Sequence, residues 1–130
     1  MIGLDTSALI DIFKGDERIK KILEVNKEPL VVTSISYLEL FFGLDPSNPK
    51  HAVEAKYYKE FFKSLYNLEL TKEGSEEASK IFWNLRKEGK TIEQFDCLIA
   101  ALFIINGIKK ILTRNKKHFD NIKELSVVSY

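Results

Sequence analysis

An α/β fold built on an open parallel sheet is predicted for this 130-residue chain by three features of its sequence. Short apolar runs alternate with longer stretches of helical periodicity, the order expected of parallel strands joined by crossover helices. Glycines fall directly after the helical stretches, and the one loop-like cluster of any length is Asp-Pro-Ser-Asn-Pro at 45–49, where breakers concentrate. No repeat, low-complexity tract or Pro- or Gly-rich boundary divides the chain, so a single domain over 1–130 is expected, large enough to bury roughly two-thirds of its unfolded surface around one core.

The elements follow in order. Residues 2–4 form a first short apolar strand, and 7–14 a helix stopped by Gly15. A second helix covers 17–26, and the apolar run 30–33 is the second strand. Helix 36–42 ends at Gly43; helix 51–66, strand 68–70 and helix 73–88 with Gly89 behind it come next. Helix 92–106 with Gly107, strand 110–113, helix 116–121 and strand 127–128 complete the chain. A glycine just past a helix accepts the left-handed conformation at least cost, so Gly15, Gly43, Gly89 and Gly107 read as helix stops and not as a phosphate loop.

Composition restricts the function classes. The net charge is +1, which provides no strong global field for nucleic acid. Locally, Lys109, Lys110, Arg114, Lys116, Lys117 and His118 crowd around Asn115, and Arg86, Lys87 and Lys90 precede the helix at 92–106. Such clusters fit a phosphate track and fit a solvated basic face equally well. Cys97 is the only cysteine, so no internal disulfide forms, and its apolar neighbours suit a small buried hydrophobe. The first residues lack a basic segment followed by a long apolar one, and the apolar run ending at Ile105 is too short to span a bilayer. A soluble, cytoplasmic protein is expected, with no membrane partner.

Four polar residues stand where a bland fold prefers something else: Asp5, Glu39, Asp96 and Asn115. Asp96 interrupts an almost wholly apolar stretch and shares a helical stripe with Ile92, Ile99 and Phe103, so it faces inward or into a cleft. Desolvating an unpaired carboxylate costs several kcal/mol or more, so a cation should meet it; a neighbouring Lys or Arg would serve as well as a ligand. Asp5 follows the first strand and Asn115 the fourth, while Glu39 and Asp96 lie near the starts of helices. The crevice beyond the carboxyl ends of parallel strands is where such sheets bind ligands.

Each residue also has a structural explanation. Asp5 and Asn115 fit helix N-caps, and Ser36 with Glu39 matches a capping box, as do Thr91 and Gln94. Against pure capping, Ile35, Glu39 and Phe42 share a stripe. Carboxylates that converge repel one another unless protonated or neutralised, and hard oxygen donors select Mg²⁺ or Mn²⁺. His51 and His118 are too isolated for a zinc set and read as surface residues, His118 lying near Asn115 in sequence only. With no serine triad or Walker loop in evidence, metal-assisted hydrolysis of a phosphodiester is the chemistry that remains.

The segments Leu-Asp-Thr-Ser-Ala-Leu-Ile-Asp at 4–11, Ser-Ile-Ser-Tyr-Leu-Glu-Leu at 34–40, Leu-Arg-Lys-Glu-Gly at 85–89, Asp-Cys-Leu-Ile-Ala-Ala at 96–101 and Leu-Thr-Arg-Asn-Lys-Lys-His-Phe at 112–119 resemble, in order, the PIN-domain ribonucleases, most closely the VapC-like toxins of toxin–antitoxin pairs. The resemblance implies a three-layer α/β/α sandwich with a parallel sheet of four or five strands and a Mg²⁺- or Mn²⁺-dependent endoribonuclease acting on single-stranded or looped RNA. It implies that Asp5 and Asp96 are the metal ligands, that Glu39 assists at the attacking water and that Asn115 is the fourth site residue, where other members carry Asp. Thr6 and Thr113 match supporting polar positions, and Arg114, Lys116 and Lys117 are candidates for RNA contact. A homodimer and an antitoxin whose Arg reaches the acids are implied as partners, with Tyr57, Tyr58, Phe61 and Phe62 as candidate surface residues. A PIN nuclease without an antitoxin and an inactive PIN-fold binding module remain the alternatives; a receiver domain would need adjacent acids where Asp5-Thr6 stands.

Overall fold

The computed structural model describes residues 1–130. Its elements are β1 (Ile2–Leu4), α1 (Thr6–Lys14), α2 (Glu17–Val25), β2 (Leu30–Thr33), α3 (Ser34–Phe42), a 3-10 turn (Pro49–His51), α4 (Ala52–Lys63), β3 (Tyr66–Leu68), α5 (Lys72–Lys87), α6 (Gln94–Ile105), β4 (Lys110–Thr113), α7 (Lys116–Phe119) and β5 (Ser126–Ser129). The five strands form one sheet in the order β3-β2-β1-β4-β5, parallel throughout. Helices cover both faces, giving the expected α/β/α sandwich.

Alternation along the strands separates two apolar layers, because successive side chains leave opposite faces of a sheet. Val31 and Ile111 join the layer built with α5 and α6, around Leu85, Ile99 and Phe103. Val32, Leu112, Ile2 and Leu4 join the layer built with α1, α3 and α4, around Leu9, Leu40 and Tyr58. Between Ile2 and Leu4, Gly3 faces the first layer, where the Phe103 ring lies 2.5 Å from where its Cβ would stand; any side chain there would have to displace that ring.

β1 lies at the centre, and the chain leaves it toward β2 on one side and reaches β4 on the other. That reversal opens a crevice at the carboxyl end of β1. Asp5 stands there.

Several boundaries differ from expectation. β3 lies two residues earlier than predicted because Tyr66, Asn67 and Leu68 pair with Val31, Val32 and Thr33. The preceding helix stops at Lys63, where the Ser64 hydroxyl donates to the Phe61 carbonyl at 2.7 Å and the Asn67 amide donates to the Phe62 carbonyl at 2.7 Å. α6 begins at Gln94, and its N-cap Glu93 makes no side-chain capping bond, so the box expected at Thr91 is not formed. Gly43 caps α3 with φ of −83°, an ordinary right-handed value, whereas Gly15, Gly89 and Gly107 take φ of 71°, 74° and 72°.

Candidate active site

Asp5 receives the first turn of α1. Its Oδ1 accepts from the Ala8 amide at 2.9 Å and the Ser7 hydroxyl at 2.7 Å, and its Oδ2 accepts from the Thr113 hydroxyl at 2.6 Å. The capping role foreseen for Asp5 is therefore real, yet it leaves a carboxylate that is 3% exposed with no Lys or Arg against it. Burial raises its pKa, against the lowering effect of these hydrogen bonds.

Thr113 ties β1 to β4. Its hydroxyl, fully buried, donates to Asp5 and accepts from the Asn115 amide at 2.9 Å. Ser7, which sequence reasoning did not single out, also accepts from the Arg114 amide at 3.2 Å. The loop after β4 is thus fixed to the carboxylate after β1. Ser7 two residues after Asp5 was visible in the sequence, but its second partner, a distant backbone amide, was not.

Glu39 reaches the same crevice from α3. The Thr6 hydroxyl donates to Glu39 Oε1 at 2.7 Å and lies 3.0 Å from the Ser36 hydroxyl. The capping box foreseen at Ser36 does not form: α3 starts two residues earlier, and Thr33 takes the Ser36 amide at 3.2 Å instead. Burial raises the Glu39 pKa, and the charges of Asp5 and Glu93 raise it further.

Asp96 sits in the first turn of α6 with its side chain 14% exposed. Its partner is His118, whose Nδ1 lies 2.9 Å from Asp96 Oδ2. His118 is therefore no bystander. Asn115, just before the single turn α7, and His118 within it are three residues apart, which puts them on one side of the turn and carries the ring to α6; that spacing was legible, but the direction of so short a helix was not. Burial raises the Asp96 pKa to about 6; the His118 charge opposes this, and Glu39, Glu93 and Asp5 reinforce it. These mutual effects identify one electrostatic cluster of Asp5, Glu39, Asp96 and Glu93. Glu93, exposed at the mouth, was missed because the sequence placed it inside a capping box.

Asn115 occupies the N-cap of α7 without capping it, so its side-chain amide stays available. An open cleft of about 310 Å³ runs beside Asp96, lined by Thr91, Ile92, Glu93, Lys117 and His118. Lys117 thus borders the acids. Lys116 lies 3.9 Å from Asp120, a loose exposed pair. Arg114 is placed otherwise: its Nη1 donates to Asp11 Oδ1 at 2.7 Å, which commits part of its guanidinium to α1. Arg86 stacks over Phe82 and Trp83 on α5.

The remaining candidates fall into the scaffold. Cys97 is buried, and burial pushes its thiol up to about 11. His51 accepts from the Asp45 amide at 2.8 Å and closes its loop. Tyr58 and Phe62, two of the aromatics foreseen for a partner surface, are buried in the core, while Tyr57 and Phe61 are half-buried beside it. An open groove of about 1160 Å³ lies beyond Phe41, between the 44–52 segment and α4, and holds none of the clustered acids.

A divalent cation fits the chemistry of this donor set. Hard oxygens converge, their pKa values are raised, and no internal Lys or Arg neutralises them. As they stand, no three side chains enclose an ion.

The pattern of a PIN domain matches residues 2–125. Ribonuclease VapC1 of Methanocaldococcus jannaschii is 32% identical over 130 residues, covering 99% of this chain and 86% of that protein. Ribonuclease VapC3 of the same organism is 33% identical over 101 residues, covering 77% of this chain and 95% of that protein. Among solved structures, VapBC2 from Rickettsia felis, bound to a DNA fragment from its promoter, superposes with a TM-score of 0.83 at 24% identity, covering 100% of this chain and 99% of that one. No helix is long and apolar enough to cross a membrane.

Proposed function

The chain belongs to the PIN-domain family, and on that footing we propose that it is a metal-dependent endoribonuclease, cleaving single-stranded or looped RNA as the toxin of a toxin–antitoxin pair. One observation carries the reading: Thr6, next to Asp5, binds Glu39, the charges of Asp5 and Glu39 both bear on Asp96, and no Lys or Arg of the chain pairs with any of the three. The two VapC ribonucleases at about a third identity support the activity, and a neighbour that is itself a toxin–antitoxin complex supports the partner.

Asp5 and Asp96 would hold Mg²⁺ or Mn²⁺, which when bound supplies charge to stabilise the phosphate oxygens and acidifies nearby water. Ser7, Thr113 and the Ala8 amide hold the Asp5 carboxylate in one orientation. Thr6 does the same for one oxygen of Glu39, leaving the other to accept a proton from the attacking water; a raised carboxylate pKa suits a base. The Asn115 amide, free of the helix cap, donates to a phosphate oxygen. Lys117 at the mouth, with Lys116 beside it, meets the RNA backbone, while Arg114 contributes less because Asp11 holds it. Unpaired loops are the favoured substrate, since side chains read splayed bases best.

The chain acts in this reading as a single cytoplasmic nuclease domain and a homodimer, with its acids covered by an antitoxin Arg while inhibited, because a carboxylate cluster lacking its own cation is complementary to one. Purified protein incubated with a looped RNA should cut it in Mg²⁺ or Mn²⁺ and not in EDTA. Asp5→Asn and Asp96→Asn should each lose at least about a hundredfold in rate, the scale of one key electrostatic contact. Undiminished cutting in EDTA, or by both variants, would overturn the reading; light scattering showing only monomer at micromolar concentration would overturn the dimer.

A further inference from the structure

Arg114 and Asn115 form the short connection between the end of β4 and the start of α7, and Arg114 is fixed at both its ends to one helix. Its amide donates to the Ser7 hydroxyl at 3.2 Å, and its guanidinium Nη1 donates to Asp11 Oδ1 at 2.7 Å. Ser7 and Asp11 stand one turn apart on α1 and so share a face, and both are buried. Arg114 therefore lies along α1. Asp11 is itself immobilised, because the hydroxyl of Tyr130, just after β5, donates to its other oxygen at 2.6 Å.

The next side chain has no such support. Asn115 makes no capping bond, so its aim depends on the backbone that carries it. Two hydroxyls refer that backbone to the acids: Ser7 joins Asp5 Oδ1 to the Arg114 amide, and Thr113 joins Asp5 Oδ2 to the Asn115 amide. Both amide bonds are neutral. The bond to Asp11 is the one ionic bond on the connection, of a kind roughly twice as strong as a neutral one, and without it the segment can pivot about the end of β4.

We propose that Arg114 is a positioning residue of the acid cleft: held by Ser7 and Asp11, it sets where Asn115 stands relative to Asp5, and this, more than RNA contact, is its role. The inference rests on the nuclease reading above and deepens it. An arginine in a basic run, with its side chain 40% exposed, has the look of a phosphate contact. The two roles separate kinetically. A phosphate contact supports RNA binding and its salt dependence, whereas a displaced Asn115 slows the chemical step, since a misplacement of about 1 Å can cost about a hundredfold.

The test compares the full chain as wild type, Arg114→Met, Arg114→Lys, Asn115→Ala and the double variant Arg114→Met with Asn115→Ala. Cleavage of a looped RNA is followed in Mn²⁺ and amide hydrogen exchange in EDTA, both below the unfolding transition. Arg114→Met should lose about tenfold in kcat, with KM and the salt dependence of RNA binding near those of the wild type. One guanidinium N–H bonds Asp11, so a lysine can stand in for it, and Arg114→Lys should recover most of the rate. In the Asn115→Ala background Arg114→Met should cost nothing further, because residues that act through one group are not additive. The Asn115 and His118 amides should lose protection in Arg114→Met while Ile111 and Leu112 of β4 keep theirs. Unchanged kcat with weaker binding and a salt slope smaller by about one makes Arg114 a phosphate contact and overturns the inference. Rate losses that multiply in the double variant overturn it too, as does unchanged protection at Asn115. A wild type that cuts no RNA brings down the nuclease reading, and the exchange result then decides the inference alone.

Discussion

Asp5 and Asp11 lie one before and one within the same helix, and each is 3% exposed, yet the molecule treats them in opposite ways. Asp11 receives a guanidinium: Arg114 Nη1 donates to its Oδ1 at 2.7 Å, and the Tyr130 hydroxyl donates to its Oδ2 at 2.6 Å. Arg18 lies over the Tyr130 ring at 5.5 Å, so a cation stands behind the hydroxyl as well. Asp5 receives two hydroxyls and a backbone amide, groups that orient a carboxylate without cancelling its charge. The difference separates an ion pair that closes the fold from a carboxylate left open to a cation from outside. Burial alone does not distinguish them; the identity of the partner does.

The comparison breaks most visibly at Asp11. Asp11→Ala strands the Arg114 guanidinium and the Tyr130 hydroxyl, and should destabilise the protein by about 2 to 3 kcal/mol, below the full cost of opening a buried pair because Arg114 reaches solvent. Denaturant unfolding should show the same loss in EDTA and in Mn²⁺. A loss that vanished on adding metal would put Asp11 in the cation cluster and erase the contrast.

Metal should act at the other pole. With Mn²⁺ at about a hundred times its dissociation constant, the wild type gains about 2.7 kcal/mol, Asp11→Ala gains as much, and Asp96→Asn gains far less. Thermal melts of the three proteins with EDTA and with Mn²⁺ test this. Equal shifts in all three would place the ion away from Asp96.

The contrast also explains what could be read before the fold was known. The strands and most helices were legible because the period of apolar residues changes where the chain passes from strand to helix, and the sheet then carries Asp5 and Asn115 to one edge. Asp96 was legible because a charge in the apolar stretch around Ile99 demands a partner. That partner was misjudged: a Lys or Arg was foreseen as the structural alternative, and His118 was set aside as lying near Asn115 in sequence only. The capping boxes at Ser36 and Thr91 failed for a common reason. Each matched the spacing, but Thr33 caps α3 two residues earlier, and α6 begins at Gln94 with no side-chain cap at all, so local pattern yielded to where the packed helices begin. Nor did sequence show that Arg114, inside a basic run, turns away to Asp11.

Removing charge from the cluster should relieve it. Asp96→Asn keeps the shape and leaves His118, nearly half exposed, to water, so the metal-free variant should be more stable than the metal-free wild type by about 0.5 to 2 kcal/mol. Denaturant midpoints in EDTA measure it; a less stable variant would make the His118 pair a structural bridge of the Asp11 kind.

The smallest effect is the pH dependence of that gain. Asp96 has its pKa raised by burial to about 6, above the ordinary 3.8, so between these values the folded protein binds more protons than the unfolded chain. Wild-type stability from this source therefore falls as pH rises through the window, and the charge penalty is fully present above about pH 6. Asp5 and Glu39 are raised too and act in the same direction. Asparagine at 96 has no proton to gain, so the advantage of Asp96→Asn in EDTA should shrink from pH 7 to pH 4.5, by about 1 kcal/mol at most once solvent screening at the cleft mouth is allowed for. Groups that titrate alike in both proteins cancel in the difference. Saturating Mn²⁺ requires the ionised acids, so its stabilisation of the wild type should instead grow as pH rises toward 7. An advantage that stays constant across this range would mean that burial leaves the Asp96 charge unpenalised.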